Sequence, residues 1–295
     1  MQPINLSSRD LEAFLALAQA QHFTRAAERC HLSQSAFSQK IARIERAAGV
    51  ALFERSTRHV ALTPEGEVFA EEARRIQSDL QHALDHLNEL ATRRVGKVAV
   101  AALPSVAAMW MPQVIARYRA AHPNIRIELF DALAGGGLAL LREGRVDMAI
   151  TAGGDLREFD VTELCSERFH LVCRRRHPLA SKRSISLAQL DDEEIIHLAR
   201  DSSVRQHLEA AGLAPGPGAL EVEHLATVAA LVAQGLGVSV VPELTLFHFE
   251  RAGLACVPVR DAALRRPIML ARRKGKALSV AARAMVDAVV QEARR

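Results

Sequence analysis

Gln34, Ser35, Ser38, Gln39 and Arg43 share one side of a stretch with helical periodicity and offer amide, hydroxyl and guanidinium groups without a carboxylate. That set suits the base edges and phosphates of a DNA major groove. The other side of the stretch is apolar. Phe37, Ile41, Ile44 and Ala48 recur at steps of four, three and four, which puts them on one helical face aimed at a core. Arg55, Arg58 and His59 follow in a basic, β-prone ribbon. Gln34, Ser35, Ser38 and Gln39 are therefore expected at base edges, with Gln34 or Ser38 also able to anchor phosphates. Arg43 and Arg55 are expected at the backbone or in pairs within the domain, and Arg58 in a minor groove.

Local signals supply the elements that position this face. Thr24 is expected to cap a short helix in which Ala26 and Ala27 permit close approach, His31-Leu32-Ser33 to make a turn, and Ser33 to cap the reading helix, which ends at Gly49. Leu11, Phe14, Leu15 and Ala18 give residues 9–20 a supporting helix. The whole reads as a winged helix-turn-helix. Thr63-Pro64-Glu65-Gly66 then opens a helix running to about Arg94. Its apolar positions Phe69, Ala73, Ile76, Leu80, Ala83, Leu87 and Leu90 alternate steps of four and three, the heptad seam of a coiled coil. Phe69, Ala73, Ile76, Leu80 and Leu87 are the expected dimer contacts.

Ala26-Ala27, Leu32-Ser33-Gln34, Ser38, Ile44-Glu45, Gly49, Leu52-Phe53-Glu54-Arg55, Leu62-Thr63 and Gly66 stand in the register of a known pattern. Through them the chain resembles the LysR-type transcriptional regulators. The resemblance implies a linker helix that pairs two readers on two half-sites of a pseudo-palindromic operator. Ser35 stands where that family commonly has proline, and Gln39 where a basic residue is frequent.

From Gly96 the pattern changes to βα alternation. Strands are expected at Lys97–Leu103, Ile125–Phe130, Asp147–Thr151, Arg168–Cys173, Glu194–Leu198, Leu220–Val222, Gly237–Val241, Ala255–Val259 and Pro267–Arg272. Helices are expected at Val106–Ala120, Leu138–Glu143, Ser203–Ala211 and Leu225–Gln234, with a helix start at Ser186–Leu190 and a last helix from Ala277. Such alternation predicts mostly parallel sheets. The expected fold class is thus α/β overall: an N-terminal winged helix-turn-helix at 1–66, a dimerising linker helix at 67–95, and an effector-binding domain at 96–295. The resemblance makes that last domain two-lobed and similar to a periplasmic binding protein, with lobe I at about 97–161 and 267–295 and lobe II at about 162–266.

Ligands of open α/β sheets sit beyond the strand ends, where helix N-termini point. Leu103-Pro104-Ser105, Asp201-Ser202-Ser203 and Thr227 each set a hydroxyl at such a start, and the three could converge on a small anion, most simply a carboxylate. Taken singly, each is more simply a plain cap of its helix. The resemblance moves Ser105, Ser202 and Ser203 toward effector contacts, and Val106 and Thr227 complete the expected effector set. Val106 departs from the hydroxyl often found beside that serine, and Gly135-Gly136-Gly137 is read as a loop where the family often has polar side chains.

Composition sets the outer bounds. The chain of 295 residues is 49% hydrophobic and 24% charged with net charge +4, ordinary for a globular protein of two or three units. Residues 1–64 hold eight Lys/Arg against five acids, most of the excess and the distribution expected of a DNA-facing unit. No signal peptide is visible, and Leu225–Val241 is broken by Gln234 and two glycines, so a cytoplasmic protein without membrane contact is expected. An enzyme would need Ser105 as nucleophile, but GxSxG, HExxH and GxxxxGK[ST] are all absent. No metal or cofactor is expected: Cys30, Cys165, Cys173 and Cys256 lack CxxC or Cys/His spacing. Some members of the family sense peroxide through a cysteine pair in a region matching Asp201–Leu208, which holds no cysteine here. A solute-binding protein would leave the reader and seam unexplained. Expected partners are double-stranded DNA carrying an operator dyad, a small effector, and further copies of the chain as a dimer or tetramer. RNA polymerase is a further partner that the resemblance allows.

Overall fold

The computed structural model describes residues 6–55, 60–92, 96–261 and 264–294, and the chain divides into two compact units, residues 1–93 with 142–145, and the remainder.

In the first unit, α1 (Ser8–Ala20), α2 (Phe23–Arg29) and α3 (Gln34–Ala48) precede β1 (Phe53–Arg55), β2 (Val60–Leu62) and the 29-residue α4 (Pro64–Thr92). Phe14, Leu17, Phe37, Ile41 and Ile44 are fully buried. Leu17 takes the place expected for Ala18, and Ala48 is exposed rather than inward, because α3 passes the edge of the core in its last turn. Phe14 meets Phe53 and Phe69 at 5.0 and 4.8 Å, joining helix, wing and α4 in one aromatic cluster. β1 and β2 pair antiparallel, Phe53 opposite Leu62.

Ser33 caps α3, accepting the Ala36 N–H at 3.3 Å, and Gly49 ends it at φ 75°. Thr24 is not a cap: α2 starts one residue earlier, behind His22, so Thr24 lies within its first turn. The helix-turn-helix turn needs one left-handed residue, and His31 supplies it at φ 54°.

Gly66 fits the start of α4 because an added Cβ would overlap the Leu52 carbonyl oxygen. Ala73, fully buried, and Phe69, half-buried against Phe14, are therefore covered within their own unit. That corrects the reading of Ala73 as a partner contact, whereas Phe69 keeps part of its surface open. Of the expected seam, Ile76 and Leu80 are 50% and 48% exposed, and Ala83 is also exposed. For Leu87 only the helical backbone is described.

The second unit begins with β3 (Lys97–Ala102), α5 (Pro104–Met109), α6 (Met111–Ala121), β4 (Arg126–Asp131), α7 (Ala134–Arg142) and β5 (Met148–Thr151). β3 pairs parallel with β4 and β5. Five of its six residues are buried because helices cover both faces. α6 and α11 (Val280–Ala293) lie on one side, and Leu138 and Leu141 of α7 on the other. Gly135-Gly136-Gly137 is not a loop: it forms the first turn of α7, with Gly137 lying close against the Ala101 methyl.

β6 (Phe159–Cys173) is longer than expected; β7 (His197–Leu198), α8 (Ser203–Ala210), β8 (Glu221–Val222), α9 (Leu225–Gln234), β9 (Ser239–Pro242), α10 (Leu246–Arg251), β10 (Ala255–Pro258) and β11 (Arg265–Arg273) follow. β7 and β8 pair parallel, but β6 and β11 run antiparallel to each other, and β6 is antiparallel to β9 and β10 as well. The expectation of mostly parallel sheets holds only away from these two strands. They also carry the chain between two cores, one around β3–β5 and one around β9, α8 and α9. The expected lobe limits at 161/162 and 266/267 fall inside them. A register shift at Ile268/Met269 leaves Leu164 as an extra residue and bends the pair there. Among the described residues no helix is long and apolar enough to cross a membrane, and no three His, Cys, Asp or Glu gather as a metal site.

Candidate nucleic-acid interface and effector cleft

The polar face of α3 is open at Gln34, Ser35, Gln39 and Arg43, with Ser38 half-buried. Ser35 Oγ lies 3.2 Å from the capping Ser33 Oγ, which orients the hydroxyl at the start of the helix. Arg58 falls outside the described residues, and for Arg55 only the backbone, at the end of β1, is described.

A carboxylate absent from the expected set fixes this face. Asp10, fully buried in the first turn of α1, accepts the Ser7 N–H at 2.8 Å, the Ser7 hydroxyl at 2.7 Å, the Lys40 ammonium at 2.7 Å and the Arg43 guanidinium. Burial alone would raise its pKa. Lys40, both Ser7 groups and Arg43 outweigh that and hold the carboxyl well below the usual range. Arg43 is thus tied within the domain, and Asp10 bolts α1 to the back of the reading helix. Ser7-Ser8-Arg9-Asp10 has capping-box spacing, a signal available in the sequence; the link to Lys40 and Arg43 spans 30 and 33 residues. Glu45 Oε1 plays a similar part at the other end of α3, accepting the Leu52 and Phe53 N–H groups at 3.0 and 3.2 Å and so holding the wing base.

In the second unit Ser105 is buried in the first turn of α5. Val106 is fully buried in the lobe I core and offers no surface to a ligand, correcting its assignment to the effector. Ser202 caps α8, accepting the Val204 N–H at 3.2 Å, and Ser203 follows it. Ser203 Oγ accepts Arg266 Nη2 at 2.8 Å, and Arg266 Nη1 donates to Glu167 Oε1 at 2.6 Å. Glu167 and Arg266 are register partners on β6 and β11, and Glu167 Oε2 accepts the Leu244 N–H at 2.9 Å. The α8 start is thus wired to the crossing strands. Gly153, in the loop after β5 at φ 134°, lies against Ser203 and Gln206. Thr227 is exposed on α9, and no hydrogen bond among the described residues joins it to Ser105, Ser202 or Ser203.

The thiol pKa values of Cys165, Cys173 and Cys256 are each pushed up to about 11, by burial first; Glu167, Glu163 and Glu243 add to this at Cys165. Cys165 and Cys173 stand eight residues apart on β6, about 25 Å at the rise of a strand, far beyond disulfide reach. Cys256 pairs with Val172 and Cys173 with Ala255, so those two sulfurs leave on opposite faces.

Residues 8–67 match the model for the bacterial regulatory helix-turn-helix protein of the lysR family, and residues 91–294 that for the LysR substrate binding domain. The chain is 33% identical over 290 residues, 97% of this chain and 94% of the relative, to YfeR, an uncharacterised HTH-type transcriptional regulator of Shigella flexneri. It is 30% identical over 291 residues to the hydrogen peroxide-inducible genes activator of Dickeya chrysanthemi, covering 96% and 95% of the two chains. A full-length OxyR variant of Pseudomonas aeruginosa superposes with a TM-score of 0.72 at 26% identity, over 98% of this chain and 95% of that one. A reader domain and an effector domain, both matched to one family across nearly the whole length, make this chain a LysR-type transcriptional regulator, a DNA-binding protein and not an enzyme.

Proposed function

We propose that this regulator works in the cytoplasm as a dimer on an operator dyad, and that a small anionic effector between the lobes shifts the placement of its two readers. Gln34, Ser35, Ser38 and Gln39 read base edges in this scheme, and the exposed Ile76 and Leu80 of α4 pair with a second copy. The observation that carries the effector reading is the start of α8. Two buried hydroxyls, Ser202 and Ser203, sit at the N-terminus of a helix hydrogen-bonded to the strands that cross between the lobes. A helix start favours negative charge, and a ligand held there acts on the crossing strands directly. To shift the readers, the effector must bind two arrangements with different affinity.

A gel shift and footprint on DNA upstream of the gene, wild type beside Ser38→Ala at two salt concentrations, tests the reading. An interrupted, protected dyad weakened by Ser38→Ala is expected, since one lost base contact removes about 1–3 kcal/mol of discrimination. Equal binding by the variant would refute the placement of the reading face. A second reading, peroxide sensing as in the named activators, is disfavoured by thiols held protonated and out of reach of one another.

A further inference from the structure

The pair formed by Glu167 and Arg266 leaves one donor over. Both Glu167 oxygens are occupied, by Arg266 Nη1 and by the Leu244 N–H, and Arg266 Nη2 is directed at Ser203 Oγ. Arg266 Nε, buried with the rest of a side chain only 4% exposed, has no hydrogen-bond partner among the described residues. An unmade hydrogen bond at a buried charged donor costs free energy, so a native site needs a reason to keep one. Geometry supplies it. A guanidinium is planar, and its Nε–H leaves along the same edge as one Nη2 hydrogen. Nη2 donates to Ser203, and the unused Nε–H stands on the edge of the guanidinium that Nη2 shares.

Arg266 and Glu167 neutralise each other; the start of α8 adds roughly half a positive charge, and Glu243 is the further carboxylate that acts on Glu167. Burial lowers the pKa of Arg266 and raises that of Glu167, each against the pull of its partner; the pair is under-compensated where it sits.

We propose that Arg266 is the charged anchor of the effector site, its Nε–H edge joining the Ser203 hydroxyl and the first-turn N–H groups of α8 around one oxyanion, a carboxylate being the best match to the planar edge. This rests on the reading of the cleft as an effector site and adds the group that recognises charge. Because Arg266 sits on β11 and is held to β6 by Glu167, an anion that takes this edge draws on the hydrogen bond fixing α8 to the crossing strands. Occupancy is thereby transmitted to the junction of the lobes.

The test uses the full chain in thermal-shift titrations with acetate, butyrate and sulfate, with acetamide and butyramide as neutral counterparts, at ionic strength held with sodium chloride. Wild type is compared with Arg266→Lys, which keeps the charge but loses the planar edge, and with Glu167→Gln, which removes the competing carboxylate. The expected result is stabilisation by the acids and not by the amides. The half-effective carboxylate concentration should rise at least tenfold in Arg266→Lys and fall several-fold in Glu167→Gln. Sulfate outperforming both carboxylates would assign the site to a tetrahedral oxyanion and overturn the carboxylate assignment. Equal carboxylate affinity in all three proteins would overturn the anchor while leaving an effector cleft in place. Amides as effective as acids would do the same. If no oxyanion shifts wild type, the anchor falls; an operator footprint altered by an uncharged molecule would then keep the effector reading alive. Should Arg266→Lys fail to fold, the gain in Glu167→Gln decides, because a purely structural ion pair predicts no gain in affinity.

Discussion

Replacing Asp10 by Asn removes one charge and little volume, and the consequences can be worked through. The carboxylate takes four hydrogen bonds, two from Ser7 and one each from Lys40 and Arg43; an amide has one acceptor oxygen and turns two donors toward groups that are themselves donors. A hydrogen bond to a charged group contributes about 1.5–3 kcal/mol, and a cap about 1 kcal/mol. The Lys40 and Arg43 side chains are 21% and 49% exposed and regain water when released, so the total is discounted to about 2–3 kcal/mol. For a domain of this size that lowers the first unfolding transition by roughly 10–15 °C. The pH dependence has a definite sign. Asp10 has a lowered folded-state pKa, so its contribution is complete above the unfolded value near 3.8 and is lost as pH falls through the folded one. The gap between wild type and variant should hold from about pH 8 down to about pH 4 and shrink progressively below that, as pH falls toward the lowered folded-state value. DNA binding should change in the opposite sense. Freed Lys40 and Arg43 raise affinity for random duplex and steepen the salt slope by about one unit, while a loosened α3 lowers the preference for the operator. Denaturation by urea across pH, beside binding to operator and random DNA, measures all of this. A stability change below about 0.5 kcal/mol, the ordinary noise of surface substitutions, would refute the reasoning, as would a gap that widens as pH falls below about 4.

Leu80→Asp should leave monomer stability within about 0.5 kcal/mol, since the side chain is 48% exposed, yet raise the dimer dissociation constant sharply in sedimentation equilibrium. Ala73→Leu should do the reverse, costing about 1–3 kcal/mol by overpacking a fully buried site without touching assembly. Gly66→Ala should cost about 3 kcal/mol, read as a shifted urea midpoint, because the new methyl group meets the Leu52 carbonyl and not a yielding side chain. With thiol pKa values near 11, well under one thiol in a thousand is ionised near neutral pH; Cys165, Cys173 and Cys256 should label slowly with a disulfide reagent in the native state, and peroxide should leave operator affinity unchanged.

What was legible beforehand was mostly local. Ser33 and Gly49 bound α3 because capping depends on residues within one turn, and the buried Phe37, Ile41 and Ile44 follow from periodicity alone. Thr24 misled because a hydroxyl near a helix start looks alike as cap or as first-turn residue; the backbone chose His22. The heptad pattern from Phe69 is real, but periodicity cannot say which neighbour a face meets, and Phe14 claims its first part. Gly135-Gly136-Gly137 reads as a break, yet in a helix bounded by buried Ala134, Leu138 and Leu141 the packing overrides the low propensity of glycine. The first half of β6 was hidden because most of its residues remain exposed or half-exposed and show no clean alternation. The central ion pair joins residues 99 positions apart, a separation at which no local signal operates.

The junction between wing and α4 has no slack in it. Thr63 donates its amide N–H to the Leu52 carbonyl at 3.1 Å and its hydroxyl to the Ala51 carbonyl at 2.9 Å, and accepts the Gly66 N–H at 2.9 Å on the same hydroxyl oxygen. Glu45 ties the neighbouring strand to α3. With no spacer residue to absorb rotation, turning α4 turns the reader by the same angle, as a handle turns a key. A tilt of about 10° moves a side chain about 20 Å from the junction by about 3.5 Å, close to the rise of one base pair. If Gln34 and Ser38 read bases as proposed, a rotation too small to alter any packing contact in the reader domain would therefore be enough to bring them opposite a different base, and the spacing of two half-sites would gauge how α4 is held.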